Sequence, residues 1–404
     1  MSSVDLTAGL QHNKSPWYAL PVVRRLHGIE GGVIRLELPN GRTVRLGQGG
    51  VEVSLRLRRW SLLRGILTSG DIGFAQGYID GGWDTADLTA LLTLLARNRT
   101  ALGHLIHGQW LGRLQHRLRH LRNANSLKGS RRNIAFHYDL GNAFYALWLD
   151  RTMTYSSARF DGDWSLDLGE AQQRKYQRVL ELLDLPSGQS LLEIGCGWGG
   201  FAEQAAGSAG HRVRGLTLSR LQLEYASARI DAAGLAGQCG FALQDYRDEQ
   251  GQYDGIVSIE MFEAVGEAYW NDYFAAVRRA LRPGGRAVVQ SILIDDALFE
   301  RYRNGTDFIQ QQIFPGGMLP SAERFRAVAA ENGLVVIHQE HFGLDYAETL
   351  NRWERNFIAR QDEVRALGFD ARFMRLWYFY LAYCQAGFNS GSTDVAQFVL
   401  QPAL

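Results

Sequence analysis

The chain has 404 residues, with 43 Lys+Arg against 42 Asp+Glu, 46% hydrophobic and 11% aromatic residues, 45 Gly, 8 Pro and 3 Cys. That apolar content excludes a disordered or collagen-like chain, and at about 150 residues per domain the length predicts two or three domains. Cys196, Cys239 and Cys384 are too few and too scattered for a disulfide framework or a metal site, so free thiols in a reducing cytoplasm are expected.

The first residues carry Asp5 and a polar run through Ser15 where a signal peptide would have a basic start and an apolar core. No window reaches the roughly 18 apolar residues of a membrane span, so no spanning segment is expected. Residues 1–104 read as a small α+β domain. Val33 to Leu38 and Val51 to Leu57 alternate with period two between turn residues, which predicts antiparallel strands. The glycine clusters at Gly70–Gly73 and Gly81–Gly82 follow, then an apolar helix from Asp87 to Ala96.

No Asp or Glu occurs between Asp87 and Asp139, whereas Arg97, Arg99, Arg113, Arg117, Arg119 and Arg122 do. Within that interval, residues 105–132 form a linker in which Leu111, Leu114, Leu118 and Leu121 recur at helical spacing among the arginines. This is a basic amphipathic helix. It either packs its leucines on the next domain or meets an anionic membrane surface. A nucleic-acid methyltransferase would also carry a basic face. The Asp/Asn-Pro-Pro-aromatic motif of amino-group methylation is absent, and no nucleic-acid partner is expected.

Residues 133–404 alternate strand and helix, with strands at Ser190–Ile194, His211–Leu218, Gly240–Gln244, Gly255–Ile259 and Arg286–Ile292. The fold class is therefore α/β, a doubly wound sheet with its ligand crevice at the strand C-termini. The first βα turn, Glu193-Ile194-Gly195-Cys196-Gly197-Trp198-Gly199-Gly200, brings backbone close to a ligand at a helix N-terminus. A dinucleotide site would want a carboxylate at the end of the second strand, where Thr217-Leu218-Ser219 stands instead. The turn with Glu193 better suits an aminoacyl nucleoside such as S-adenosylmethionine. Asp245, after the third strand, is placed for its adenine side or for a helix cap. His137 and Asp139 have no third ligand nearby, so no metal is expected, and no Gly-x-Ser-x-Gly hydrolase turn occurs after a strand.

Six runs then appear in one order: His137 to Asn142, Met153-Thr154-Tyr155-Ser156-Ser157-Ala158, Leu191 to Gly200, Thr217 to Gln222, Met261-Phe262-Glu263-Ala264-Val265-Gly266, and Phe314 to Ser321. Together they resemble the cyclopropane-fatty-acyl-phospholipid synthase family, and the first 120 residues resemble the N-terminal domain of its longer members. The resemblance implies a class I methyltransferase that moves a methyl group from S-adenosylmethionine to the cis double bond of an unsaturated phospholipid acyl chain. It implies cofactor contacts at Tyr155, Ser156, Gly195, Gly197, Thr217, Gln222 and Asp245. It also implies a bicarbonate site at Glu263 and Tyr346, a peripheral position on the inner membrane face, and a homodimer.

The sequence departs from the family at the bicarbonate site. Ser157 stands where the family has cysteine, Gln290 where it has histidine, and Ala264 follows Glu263 where histidine is common. Serine and glutamine still donate hydrogen bonds to an anion, but neither replaces an imidazole. After methyl transfer a base must remove a proton. Loss from the new methyl closes a cyclopropane; loss from a neighbouring carbon gives a methyl-branched or methylene-bearing chain. A non-catalytic lipid-binding protein is the third reading. The aromatics of the C-terminal part, among them Tyr346, Trp353, Phe357, Trp377, Phe379, Tyr380 and Tyr383, are expected mostly to fill the core, with some shielding a cationic intermediate. His338 and His341 are expected beyond the sheet's next strand.

Overall fold

The computed structural model describes Pro16 and residues 19–103 and 140–403; the helix expected over 105–132 and the pair His137 and Asp139 lie outside the described residues. The alternating N-terminal runs become β1 (Glu30–Glu37) and β2 (Thr43–Leu57), an antiparallel pair to which the short β3 (Trp83–Asp84) adds on the β2 side. Ile34, Leu36, Val53, Leu55 and Leu57 are buried, as a half-buried pleat requires. Helix Leu88–Arg97 buries Leu88, Leu91, Leu92 and Leu94 beside them. Its first turn is capped by Asp87, whose carboxylate accepts from the Ala90 N–H at 2.8 Å.

The glycines at 70–73 lie inside a helix, Ser61–Ile79, which bends at Gly70 (φ 59°, ψ −130°). Beyond the bend the chain doubles back so closely that a Cβ on Gly73 would stand 2.2 Å from the Gly65 carbonyl oxygen. Only glycine permits that approach.

The second sheet has seven strands: β4 (Ser190–Ile194), β5 (Arg212–Thr217), β6 (Cys239–Leu243), β7 (Tyr253–Ile259), β8 (Leu281–Ile294), β9 (Leu334–His341) and β10 (Thr393–Pro402), in the order β6-β5-β4-β7-β8-β10-β9. The pairs from β6 to β8 are parallel, whereas β10 runs antiparallel to both β8 and β9. The α/β class therefore stands, with two strands added that the sequence reading did not place. His338 and His341 lie on β9 itself, not beyond it. Chain order reverses beside β4, so the crevice opens at its C-terminal end.

Two long helices, Gly343–Ala359 and Ala371–Asn389, fill the interval between β9 and β10, and the second carries the N-terminal unit. Arg375 joins the two parts. Its guanidinium donates to the Tyr78 carbonyl at 2.6 Å, to the Trp83 carbonyl at 3.0 Å and to Asp84 at 3.0 Å, and it lies 3.9 Å from the Tyr78 ring centroid. Truncating it removes its hydrogen bonds to both carbonyls and to Asp84, although the Tyr78 carbonyl keeps the Gly81 N–H at 2.9 Å. Arg375→Ala should cost about 2–3 kcal/mol of unfolding free energy in a denaturant titration, and an unchanged midpoint would show that the apolar contact alone holds the parts together.

Candidate active site

The glycine turn after β4 shapes one end of a cavity of about 320 Å³ at the carboxyl edge of the sheet. Gly195 (φ 85°) packs where a Cβ would lie 2.9 Å from the Met261 Cγ, and Gly197 (φ 51°) has open space where its Cβ would be. Both therefore expose backbone to the cavity. Thr217 ends β5, and its hydroxyl donates to the Gln222 side chain at 2.9 Å. Ser219 caps the helix that carries Gln222. Asp245 lines the cavity and accepts from Arg247 through both oxygens, at 2.8 and 2.7 Å, while capping the short turn after β6. Tyr155 shares a 2.6 Å hydroxyl contact with Tyr380, and the Ser156 hydroxyl accepts from Lys175 at 2.6 Å. All seven residues expected to touch the cofactor line this one cavity.

The cavity suits a cation. Glu193, Asp245, Glu260, Glu263 and Asp307 line it, with Arg247 as the one basic residue among the described lining groups. One oxygen of Glu193 and one of Glu263 are buried with no hydrogen-bond partner. A ligand carrying an ammonium and a sulfonium would meet these carboxyls, whereas a pyrophosphate would find no matching cluster of cations.

The centre of the site is a residue the sequence reading passed over. Glu260 directly follows β7 with φ 51°, a left-handed conformation unusual for a residue with a Cβ. That backbone turns its carboxylate inward. One oxygen accepts from the Ser157 N–H and from the Gln290 side chain, each at 2.8 Å, and the other accepts from the Tyr346 hydroxyl at 2.6 Å. Gln290 is oriented in turn: its carbonyl oxygen accepts from Gln397 at 3.0 Å, and Gln397 accepts from Arg159 at 3.3 Å. Ser157, Gln290 and Tyr346, expected to bind bicarbonate, instead converge on a carboxylate of the chain. Bicarbonate does not fit: its donors are taken, and it would lie against a like charge. The Ser157 hydroxyl points away, to the Ala158 carbonyl at 2.9 Å, so only its backbone serves the site.

Burial raises the Glu260 carboxyl above the usual carboxylate range, and Tyr346, Lys175, Ser157 and Gln290 offset only part of that rise. Lys175 is fully buried, and desolvation brings its ammonium down to about 7 against the pull of Glu260, Asp150 and Glu193. Its signal in the sequence was its place on the buried stripe Leu168, Ala171, Val179 and Leu182 of helix Leu168–Leu183, where a lysine has no ordinary reason to sit. The signal for Glu260 was position: it is the first residue beyond a buried strand at the ligand edge. Glu263 lies in the next turn, where its carboxyl accepts from the Ile292 N–H. Among the aromatics, Tyr346, Tyr380 and Tyr383 face the cavity, while Trp353, Trp377 and Phe357 are buried in the core.

Burial first, and the Glu260 charge second, push Glu263 from 4.5 to about 8. The folded chain thus holds a proton that the unfolded chain has released, and this contribution is full below 4.5 and lost as pH rises through about 8. Denaturant titrations should show wild type losing stability relative to Glu263→Gln between pH 5 and pH 8; equal slopes in that window would place Glu263 in an ordinary carboxylate environment.

The family model for mycolic acid cyclopropane synthetase matches residues 125–398. The tuberculostearic acid methyltransferase of Mycobacterium tuberculosis is 40% identical over 349 residues, covering 84% of this chain and 81% of its own length. The cyclopropane-fatty-acyl-phospholipid synthase of Escherichia coli K12 is 32% identical over 352 residues, 87% of this chain and 88% of its own. A mycolic acid cyclopropane synthase solved with SAH and CTAB superimposes with a TM-score of 0.63 at 31% identity, over 67% of this chain and 98% of that one. The carboxylate-lined crevice at the switch point and the matched span agree, and the chain belongs to the mycolic acid cyclopropane synthetase family of S-adenosylmethionine-dependent methyltransferases acting on fatty acyl chains.

Proposed function

We propose that this enzyme methylates the cis double bond of an unsaturated acyl chain in a membrane phospholipid, and that Glu260 then removes a proton from a neighbouring chain carbon to give a methyl-branched, unsaturated product. The observation that carries this reading is the Glu260 carboxylate held by Ser157, Gln290 and Tyr346. Bound S-adenosylmethionine supplies an electrophilic methyl, which the alkene π pair takes, leaving a carbocation on the acyl chain. The residues of the chain do the rest. Tyr346, Tyr380 and Tyr383 turn electron-rich rings to the cavity and keep water from the cation. Glu260 accepts the proton, and the released C–H pair forms the new double bond.

A carboxylate tethered to the backbone reaches a fixed direction, unlike a free anion lying in the same donors. This supports proton loss at one chain carbon over ring closure at the new methyl. The name of the 40% identical relative, a methyltransferase and not a cyclopropane synthase, points the same way. The E. coli relative supports the phospholipid as carrier and ring closure as the second reading.

Lipids from cells expressing the enzyme should gain one methylene in mass while keeping an alkene proton signal; high-field cyclopropane protons in their place would establish ring closure. Glu260→Gln should lower kcat by about 10²–10⁴, the range of a lost general base, with cofactor affinity unchanged. Glu260→Gly frees three donors, so added bicarbonate should restore part of its activity, and no response to bicarbonate would show that the donors serve only to position Glu260.

A further inference from the structure

A second cavity, also of about 320 Å³, lies between the N-terminal unit and the methyltransferase sheet. From the N-terminal side it is lined by apolar groups such as Leu57, Leu63, Ile66, Phe74 and Leu95, and from the other side by Leu298 and Phe379. It lies against the reaction cavity: Tyr302, Asp307, Leu319, Tyr383, Gly387 and Thr393 line both. The bend at Gly70 brings Asp71 to this common wall, where one oxygen accepts from the Ile72 N–H at 2.9 Å and the other from the Tyr383 hydroxyl at 3.4 Å. Burial pushes Asp71 up to about 8 and Asp307 up to about 6, so near neutrality Asp71 mostly keeps its proton while Asp307 carries the negative charge of the wall.

The positive charge is elsewhere on the lining. Arg99 and Arg301 both border the chamber, and neither has a carboxylate at ion-pair distance among the described residues. Arg99 donates to the Ala96 carbonyl at 3.2 Å and Arg301 to the Gly103 carbonyl at 3.4 Å. They repel one another, and Arg99 is half-buried, which a bound anion would offset.

We propose that this chamber holds the second acyl chain of a diacyl phospholipid, with the phosphate between Arg99 and Arg301 and the chain to be methylated in the adjoining reaction cavity. Two apolar compartments with a common wall and two arginines at one side match a ligand with two chains joined at one anion. A single-chain acid would leave one compartment empty. The inference rests on the phospholipid reading above and names the form of the substrate.

The test uses the full chain with dioleoyl phosphatidylglycerol, 1-oleoyl lysophosphatidylglycerol and free oleate in one detergent. Ala96→Phe and Ile66→Trp fill the chamber from its N-terminal wall, away from the reacting groups. Each should raise KM for the diacyl lipid at least fivefold while leaving kcat, and both constants for the single-chain lipid, unchanged. Arg99→Gln, at a half-exposed position, should weaken both phospholipids and spare oleate, and it keeps the test open should the filling variants fail to fold. Equal changes for one-chain and two-chain lipids, or none for either, would overturn the proposal. Should wild type methylate no phospholipid, equilibrium binding of a fluorescent diacyl phosphatidylglycerol separates the two ideas. Binding weakened by Ala96→Phe or Arg99→Gln upholds the chamber while the phospholipid reaction fails; binding insensitive to these variants removes the chamber as well.

Discussion

A carboxylate buried at the end of a strand must find donors or lose its charge, and the arrangement around Glu260 follows from that constraint. Its two oxygens take three hydrogen bonds from three distant parts of the chain: the loop at Ser157, the β8 residue Gln290 and the helix residue Tyr346. Lys175 adds from a fourth element a buried amine whose ammonium form burial brings down to about 7. The β7 to β8 pairing, the position of helix Gly343–Ala359 and the amide chain through Gln397 and Arg159 all serve to keep those donors pointed at one spot. In return the group is basic, dry and immobile, the condition a base needs if it is to act on a cation that water would otherwise capture.

The same centre accounts for the neighbouring acid. Two carboxyl groups so close cannot both be charged without a large penalty, and Glu263, lacking a cation of its own, is the one that keeps its proton. In the proposed reaction Glu260 is then the base of the pair, while Glu263, which accepts from Ile292, shapes the floor with Ser291. Division of labour between two acids thus arises from unequal donors, not from unequal residue types.

The sheet and its glycine turn were legible because period and turn chemistry act locally: Ser190–Ile194 and the Gly195–Gly200 turn stand where alternation and glycine spacing put them. The site was legible only in part. Ser157, Gln290 and Tyr346 could be named by motif, but the anion they hold depended on a backbone angle at Glu260 that no local pattern announces. β9 and β10 escaped for another reason. β10 is buried from Val395 to Leu400 with no alternation, and β9 is an edge strand with few buried positions, so neither carries the period-two signature. The helix bent at Gly70 was not legible, because a cluster of glycines marks close backbone approach within helices as well as between elements.

The place of β10 bears on how the molecule assembles. It is threaded between β8 and β9, so Gln290 and its partner Gln397 are separated by 107 residues along the chain. On a ribosome, β4 to β8 emerge and can pair long before β10 exists, leaving β8 with an open edge that invites the wrong partner. Until β10 arrives, Gln290 has no Gln397 to orient it, and Thr393 is missing from the wall between the two cavities. The nascent protein would therefore pass through a stage in which a sheet able to cradle a nucleoside is already formed while the base is still misaligned, so that competence for ligand precedes competence for chemistry.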